Sequence, residues 1–253
     1  MLRRFAFCCS RRHNTPRRAL WCFCVAAVIL WFGQRYVLPT FVQLLGDDSG
    51  AAVVCDFGAD YRRKLLEIAL ALTDVLEKIQ VRHAACYSTL WAILESQSLF
   101  KWSRSVKLCA VSTDLSKLDE GYFRRLLKAR DLDMDYDYTS GLYTVTSLAK
   151  ESSKTGAAAA IPYVQLILVE ELSTEKTLAL EPSWVRIGLK YRLLPPTSEL
   201  LHGFPKRLLA YPLEKGKLDT VSLNVPREGL ELLKYQYRST WWKGAQGTRP
   251  KQC

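Results

Sequence analysis

The stretch "YVQLILVEEL", residues 163–172, decides how the rest of the chain is read. Gln165 alone interrupts an aliphatic run that closes on Glu170-Glu171. So short and continuous a run predicts a strand buried on both faces at the centre of a sheet, since an amphipathic helix would show polar residues at three- and four-residue steps. Other strand-type segments surround it. Val106 to Val111 is a short β-type run, and Trp184 to Leu193 alternates. In "DLDMDYDYTSGLYTV", Asp131, Asp133, Asp135 and Asp137 alternate with Leu132, Met134, Tyr136 and Tyr138, and Thr139-Ser140-Gly141 turns this strand into a second, Leu142 to Val145. Helical periodicity begins near Tyr61, where Leu65, Ile68, Leu72, Val75, Leu76 and Ile79 mark one face. Further helices are predicted from Ala84 to Glu95, Lys117 to Ala129 and Glu228 to Tyr235. Strands interspersed with helices around one long apolar strand predict an α/β (mixed α+β) domain with a mixed sheet.

The chain has 253 residues and a formal net charge of +11, unevenly spread. Residues 1–35 hold seven arginines and no acid, leaving only a small excess elsewhere. The basic balance therefore belongs to an arm, so a nucleic-acid partner is not expected. From Ala19 to Gly33, "ALWCFCVAAVILWFG" carries no charge, a length that rises about 22 Å as a helix. Arg35 can snorkel, extending the span through Tyr36 to Leu38. With six arginines before it, the arm is expected to stay cytoplasmic. The division expected is a cytoplasmic Arg-rich arm (1–18), a single N-terminal transmembrane signal-anchor (19–41), a stem (42–60), a lumenal domain (61–243) and a tail (244–253). A cleaved signal peptide is the alternative.

Cys8, Cys9, Cys22 and Cys24 lie in or beside the anchor, whereas Cys55, Cys86, Cys109 and Cys253 fall in the segment expected in the lumen. There one disulfide can form, the pair left open. Their spacing fits no zinc motif. The four aspartates of residues 131–137 read as the solvated face of an edge strand, because same-face neighbours on a strand are near 7 Å apart, too far for compact chelation.

Two segments resemble the LicD/fukutin family. Thr89-Leu90-Trp91-Ala92, a six-residue spacer and Leu99-Phe100-Lys101-Trp102 are similar to the opening of that family's site; "FPKRLLAYPLEKGKLDTVSLNVPREGLELLKYQYRSTWWK", residues 204–243, is similar to its closing module. The resemblance implies a nucleotidyltransferase-like domain that transfers phosphocholine or phospho-alditol groups from nucleotide-activated donors to glycans. It also implies a Golgi or ER type II membrane protein, with bilayer lipid, a glycan or a lumenal glycosyltransferase as partners.

That chemistry builds negative charge on the donor, which divalent ions held by clustered carboxylates neutralise. The family's acids are expected directly after the Trp, on a strand. Here Ser103, Ser105 and Lys107 stand at those positions. Gln165 stands where a further Asp is expected, and Glu95 where a basic residue is. An ammonium repels the cation that a carboxylate attracts. The expectation is a degenerate transfer site in a non-catalytic glycan-binding or partner protein. Substrate contacts fall on Trp91, Trp102, Arg104, Lys107, Tyr143 and Trp242, although the aromatics read equally as core or rim packing. The alternative is an active transferase using relocated ligands, Asp114 or Glu170, with Mg2+ or Mn2+ as cofactor.

Overall fold

The computed structural model describes residues 55–148, 161–172, 183–192 and 203–250. Chain contacts divide the protein into Met1–Ala51 and Ala52–Cys253, and every described residue belongs to the second unit. The anchor expected over residues 19–41 lies outside the described residues. Among those described, no helix is long and apolar enough to cross a membrane.

The element order is α1 (Ala59–Lys78), β1 (His83–Ala85), α2 (Tyr87–Trp91) running into a wider π-type turn (Ala92–Ser96), β2 (Ser105–Val111), α3 (Ser112–Leu115), α4 (Glu120–Lys128), β3 (Leu132–Asp137) and β4 (Leu142–Ser147). Then come β5 (Tyr163–Leu172), β6 (Ser183–Arg186), α5 (Leu189–Arg192), β7 (Phe204–Pro205), a 3-10 turn (Lys206–Leu209), β8 (Glu214–Leu218), β9 (Val221–Val225), α6 (Gly229–Gln236) and a closing 3-10 segment (Trp241–Thr248). The fold is mixed α/β. Its main sheet runs β1-β2-β5-β4-β3, with β2 and β5 parallel and the other neighbours antiparallel. As its composition predicts, β5 is central, flanked by strands on both edges.

Alternation divides the sheet into two faces. Val106, Leu108, Val164, Leu166, Val145, Tyr143 and Met134 belong to the main core beneath α1 and α4, which supply Leu65, Leu72, Leu76, Phe123 and Leu127. Asp119 caps α4, its carboxylate accepting from the Tyr122 N–H at 2.9 Å, and so starts the helix later than Lys117. The opposite face carries Ser105, Lys107, Tyr163, Gln165, Thr144 and the aspartates of β3, which is an edge strand.

Two expected elements differ. Residues 84–85 are a strand: Ala84 and Ala85 pair with Cys109 and Leu108, and sheet pairing overrides alanine's helical preference. The alternation from Trp184 stops at Arg186, because Gly188 (φ 129°) turns the chain into α5. This turn backs onto Gly141 (φ 63°) in the β3–β4 hairpin. There β6 takes over the edge of β5 that β4 leaves: the Leu168 N–H donates to the Gly141 carbonyl and the Ile187 N–H to the Leu168 carbonyl, both at 3.2 Å. A Cβ on Gly141 would stand 1.9 Å from the Ile187 carbonyl oxygen. Gly141→Ala is therefore expected to cost at least about 2 kcal/mol, read by urea denaturation, from the clash and the left-handed backbone together.

His83 is buried with its polar atoms engaged. Nδ1–H donates to the Val81 carbonyl at 2.8 Å, and Nε2 accepts from the Asn224 amide at 3.1 Å. Asn224 also donates to Glu77, which Lys215 holds at 2.5 Å. Burial is the main cause that lowers the imidazole pKa below 6.5, outweighing the Val81 hydrogen bond and the Glu77 charge. The unfolded chain then takes up this proton first. Stability from this group is complete above about pH 6.5 and falls as pH drops below it. Urea midpoints measured from pH 8 to 5 should decline below that point, and His83→Gln should flatten the decline.

Candidate functional site: the polar face at the β2–β5 seam

The parallel register pairs Lys107 with Gln165 and Ser105 with Tyr163. Across β5, Gln165 pairs with Thr144, which pairs with Asp135 on β3. One row therefore crosses the sheet as Lys107, Gln165, Thr144 and Asp135, all on the face away from α1. Of the positions where the family resemblance expects acids, Lys107 and Gln165 are direct neighbours, and Ser105 Oγ lies 3.5 Å from the Gln165 amide oxygen. Ser103 and Ser105 are buried. The residues brought together are an ammonium, an amide and hydroxyls.

The next row, Cys109 and Ile167, is closed over by Cys86, Tyr87 and Tyr237. Cys86 and Cys109 form a disulfide, tying the start of α2 to the middle of β2. Cys55 is disulfide-bonded as well, so the cysteines form more than the one bridge expected. Backbone bonds tighten the same joint: the Cys86 N–H donates to the Lys107 carbonyl at 3.1 Å, and the Lys107 N–H to Thr89 Oγ1 at 2.7 Å. Thr89, read in the sequence as part of a motif, is thus the side chain that holds Lys107 in place. Tyr87 has φ 53°, and its N–H donates to Gln236 Oε1 at 2.7 Å. Its ring packs edge-on to Tyr237, and both phenols are raised mainly by burial. Lys107 Nζ lies 5.8 Å from the centre of the Tyr87 ring, and Arg186 approaches the same ring at 5.9 Å.

The expected substrate residues divide. Arg104 is exposed at the N-terminal end of the seam, over the Tyr163 ring at 5.8 Å. Tyr143 is on the other face, edge-on to Phe123, because its odd offset from Thr144 turns it toward α4. Burial and nearby Glu120 raise its phenol to about 12. Trp91 is buried in the main core. Trp102 stacks on Phe100 at 4.8 Å with Arg249 over its ring, and its indole N–H is buried with no partner. Trp242 is exposed at the rim beside Trp241.

The two carboxylates considered as relocated ligands are apart from the seam. Asp114 on α3 is gripped by Arg82, Nε to Oδ2 at 2.6 Å and Nη2 to Oδ1 at 3.1 Å. Burial raises its pKa, but Arg82's hydrogen bonds and charge together outweigh that and hold it below the usual range. Glu170 lies an odd number of residues from Gln165 on one strand and so projects from the opposite face. Glu95 accepts from the Ala245 N–H at 2.8 Å, which accounts for an acid there. Among the described residues no three His, Cys, Asp or Glu side chains converge as a metal site. The donors at the seam do not fit a divalent cation, which prefers carboxylate oxygen.

Sequence reasoning missed Arg186, Tyr87, Tyr191 and Gln236. Arg186 carried one signal, a cation inside an otherwise strand-like "SWVR". No protein-family model matches the chain, and no curated protein matches it. Asp114→Asn should lower stability by about 2 kcal/mol in urea denaturation, since it leaves the Arg82 guanidinium without its carboxylate.

Proposed function

We propose that this is a type II membrane protein with a divergent LicD/fukutin-like, nucleotidyltransferase-like domain whose transfer site has lost its metal-binding acids. It acts as a non-catalytic glycan-binding protein or as the partner of an active transferase in the Golgi or ER lumen. The observation that carries this reading is the register of β2 on β5. It sets Lys107 beside Gln165 where the resemblance expects carboxylates, so a cation and an amide stand at two positions of the expected acid set. A phosphoryl donor's charge can be met there by ammonium and hydroxyl groups. Metal-assisted departure of a nucleotide cannot be supported by that set, because amide and hydroxyl oxygens hold magnesium far more weakly than carboxylates do. The resemblance in the segments 89–102 and 204–243 is supported by their meeting in space. Ser98 Oγ–H donates to Asp219 Oδ1 at 2.7 Å, and the Leu99 N–H donates to Asp219 Oδ2 at 2.9 Å.

The test is turnover. The full chain, purified in detergent, should release no nucleotide from activated alditol-phosphate or choline-phosphate donors in millimolar Mg2+ or Mn2+, with or without glycan acceptor. Metal-dependent release above the buffer rate, abolished by Lys107→Ala or Gln165→Ala, would overturn the reading.

A further inference from the structure

Arg186 is a cation with an unsatisfied donor. It sits at the end of β6 opposite Val169, and so shares the face of Lys107 and Gln165. Its guanidinium carbon lies 4.6 Å from the centre of the Tyr191 ring and 5.9 Å from that of Tyr87. Its Nε is buried without a hydrogen-bond partner. Stacking on aromatic rings is worth about 0.5–2 kcal/mol, whereas an unmade hydrogen bond at a buried charged donor costs about as much or more. The guanidinium also hydrogen-bonds the Tyr87 side chain, but neither that bond nor the stacking satisfies Nε. Among the described residues no carboxylate pairs with the guanidinium: Glu171, on the same face of β5, pairs with Lys206, and Asp133, Asp135 and Asp137 stand on β3, beyond β4. Arg124 pairs with Asp133, and Asp137 accepts from Ser140 and from the Thr139 N–H.

Tyr87, whose ring both cations approach, is held unusually firmly. A left-handed backbone at a bulky aromatic costs about 1–2 kcal/mol, and such strain persists only where the surroundings over-determine it. Here the surroundings are the Cys86–Cys109 bridge, the Gln236 hydrogen bond and the Tyr237 ring. The result is a rigid ring approached by cations from β2 and β6, the strands on either side of β5, with the neutral side chains of Gln165 and Thr144 in the Lys107 row.

We infer that Arg186, with Lys107 over the shared Tyr87 ring, forms a metal-independent site for a two-oxygen anionic group, a carboxylate or a phosphate, carried by a small polar ligand such as an acidic sugar. This rests on the proposed loss of the metal site, because a bound cation would compete with Lys107 for the anion. A guanidinium pairs with such a group through two parallel N–H donors, and its Nε edge is one of the pairs able to do so. An anion bound along that edge exchanges an unmet donor for a charge-assisted bond. Lys107 supplies a second positive charge without directional demand, and Gln165 and Thr144 can meet sugar hydroxyls.

The experiment is calorimetric titration of the full chain in detergent micelles with EDTA, using inorganic phosphate, glucuronate and, as a neutral control, glucose. Saturable binding of at least one anion and none of glucose is expected, unchanged when Mg2+ replaces EDTA. The tighter anion identifies the natural group. Arg186→Gln and Lys107→Gln, each checked by thermal melting, should weaken binding at least about tenfold. Lys107→Gln keeps the test valid if Arg186→Gln fails to fold. Absence of saturable anion binding with or without Mg2+, or unchanged affinity in a folded variant of either residue, would overturn this inference and leave the proposed function standing. Binding that requires Mg2+ would overturn both.

Discussion

The parallel pairing of β2 with β5 is the constraint on which the rest of the domain depends. It brings two segments more than fifty residues apart into one register, from Ser105 beside Tyr163 to Val111 beside Val169. Because side chains alternate, this register sends Val106, Leu108, Val164 and Leu166 into the core and Lys107 and Gln165 to the other face. A slip by one residue would put an ammonium and an amide under α1, at a cost of several kcal/mol for burying them unpaired. The core thus enforces the site: burying one face correctly fixes which groups meet on the other. The Cys86–Cys109 bridge and the Thr89 hydrogen bond join α2 to the same strand, so that Tyr87 follows whatever β2 does.

From this arrangement follows the electrostatic character of the seam. Carboxylates exist elsewhere in the domain, and several of them are committed. Asp114 is bound by Arg82, Glu95 secures the closing 3-10 segment, Asp119 caps α4, and the β3 aspartates line a solvated edge. These acids do structural work away from the seam, where the described residues include Lys107, Arg186, Gln165, hydroxyls and phenols. An oxyanion is met there directly by positive charge. A divalent cation finds no convergent ligand set among the described residues.

Much of this was legible in the sequence, for identifiable reasons. The apolar run of β5, the period-two aspartates of β3 with their Thr-Ser-Gly turn, and the 3.6-residue face of α1 are local signals, and each element forms within a few residues of where its pattern places it. Residues 84–85 failed because pairing with β2 is a long-range interaction and alanine carries no pattern of its own. β6 ended early because Gly188 adopts a backbone conformation that alternation does not reveal. The place of Tyr143 on the α4 side was not legible, because an isolated aromatic says nothing of the face it occupies until the hairpin register is known. Arg186 escaped notice for a related reason: its importance lies in sharing the Tyr87 ring with Lys107, seventy-nine positions earlier, and no spacing rule links the two.

The central claim is that the β2–β5 seam is a cationic surface rather than a metal centre. The most direct measurement is Mn2+ electron paramagnetic resonance on the full chain in detergent, titrated at neutral pH with and without a nucleoside diphosphate. The account predicts that the free-Mn2+ signal keeps its full intensity as protein is added in excess. Loss of that signal with one ion bound per chain, reversed by substituting Lys107 or Gln165, would contradict it.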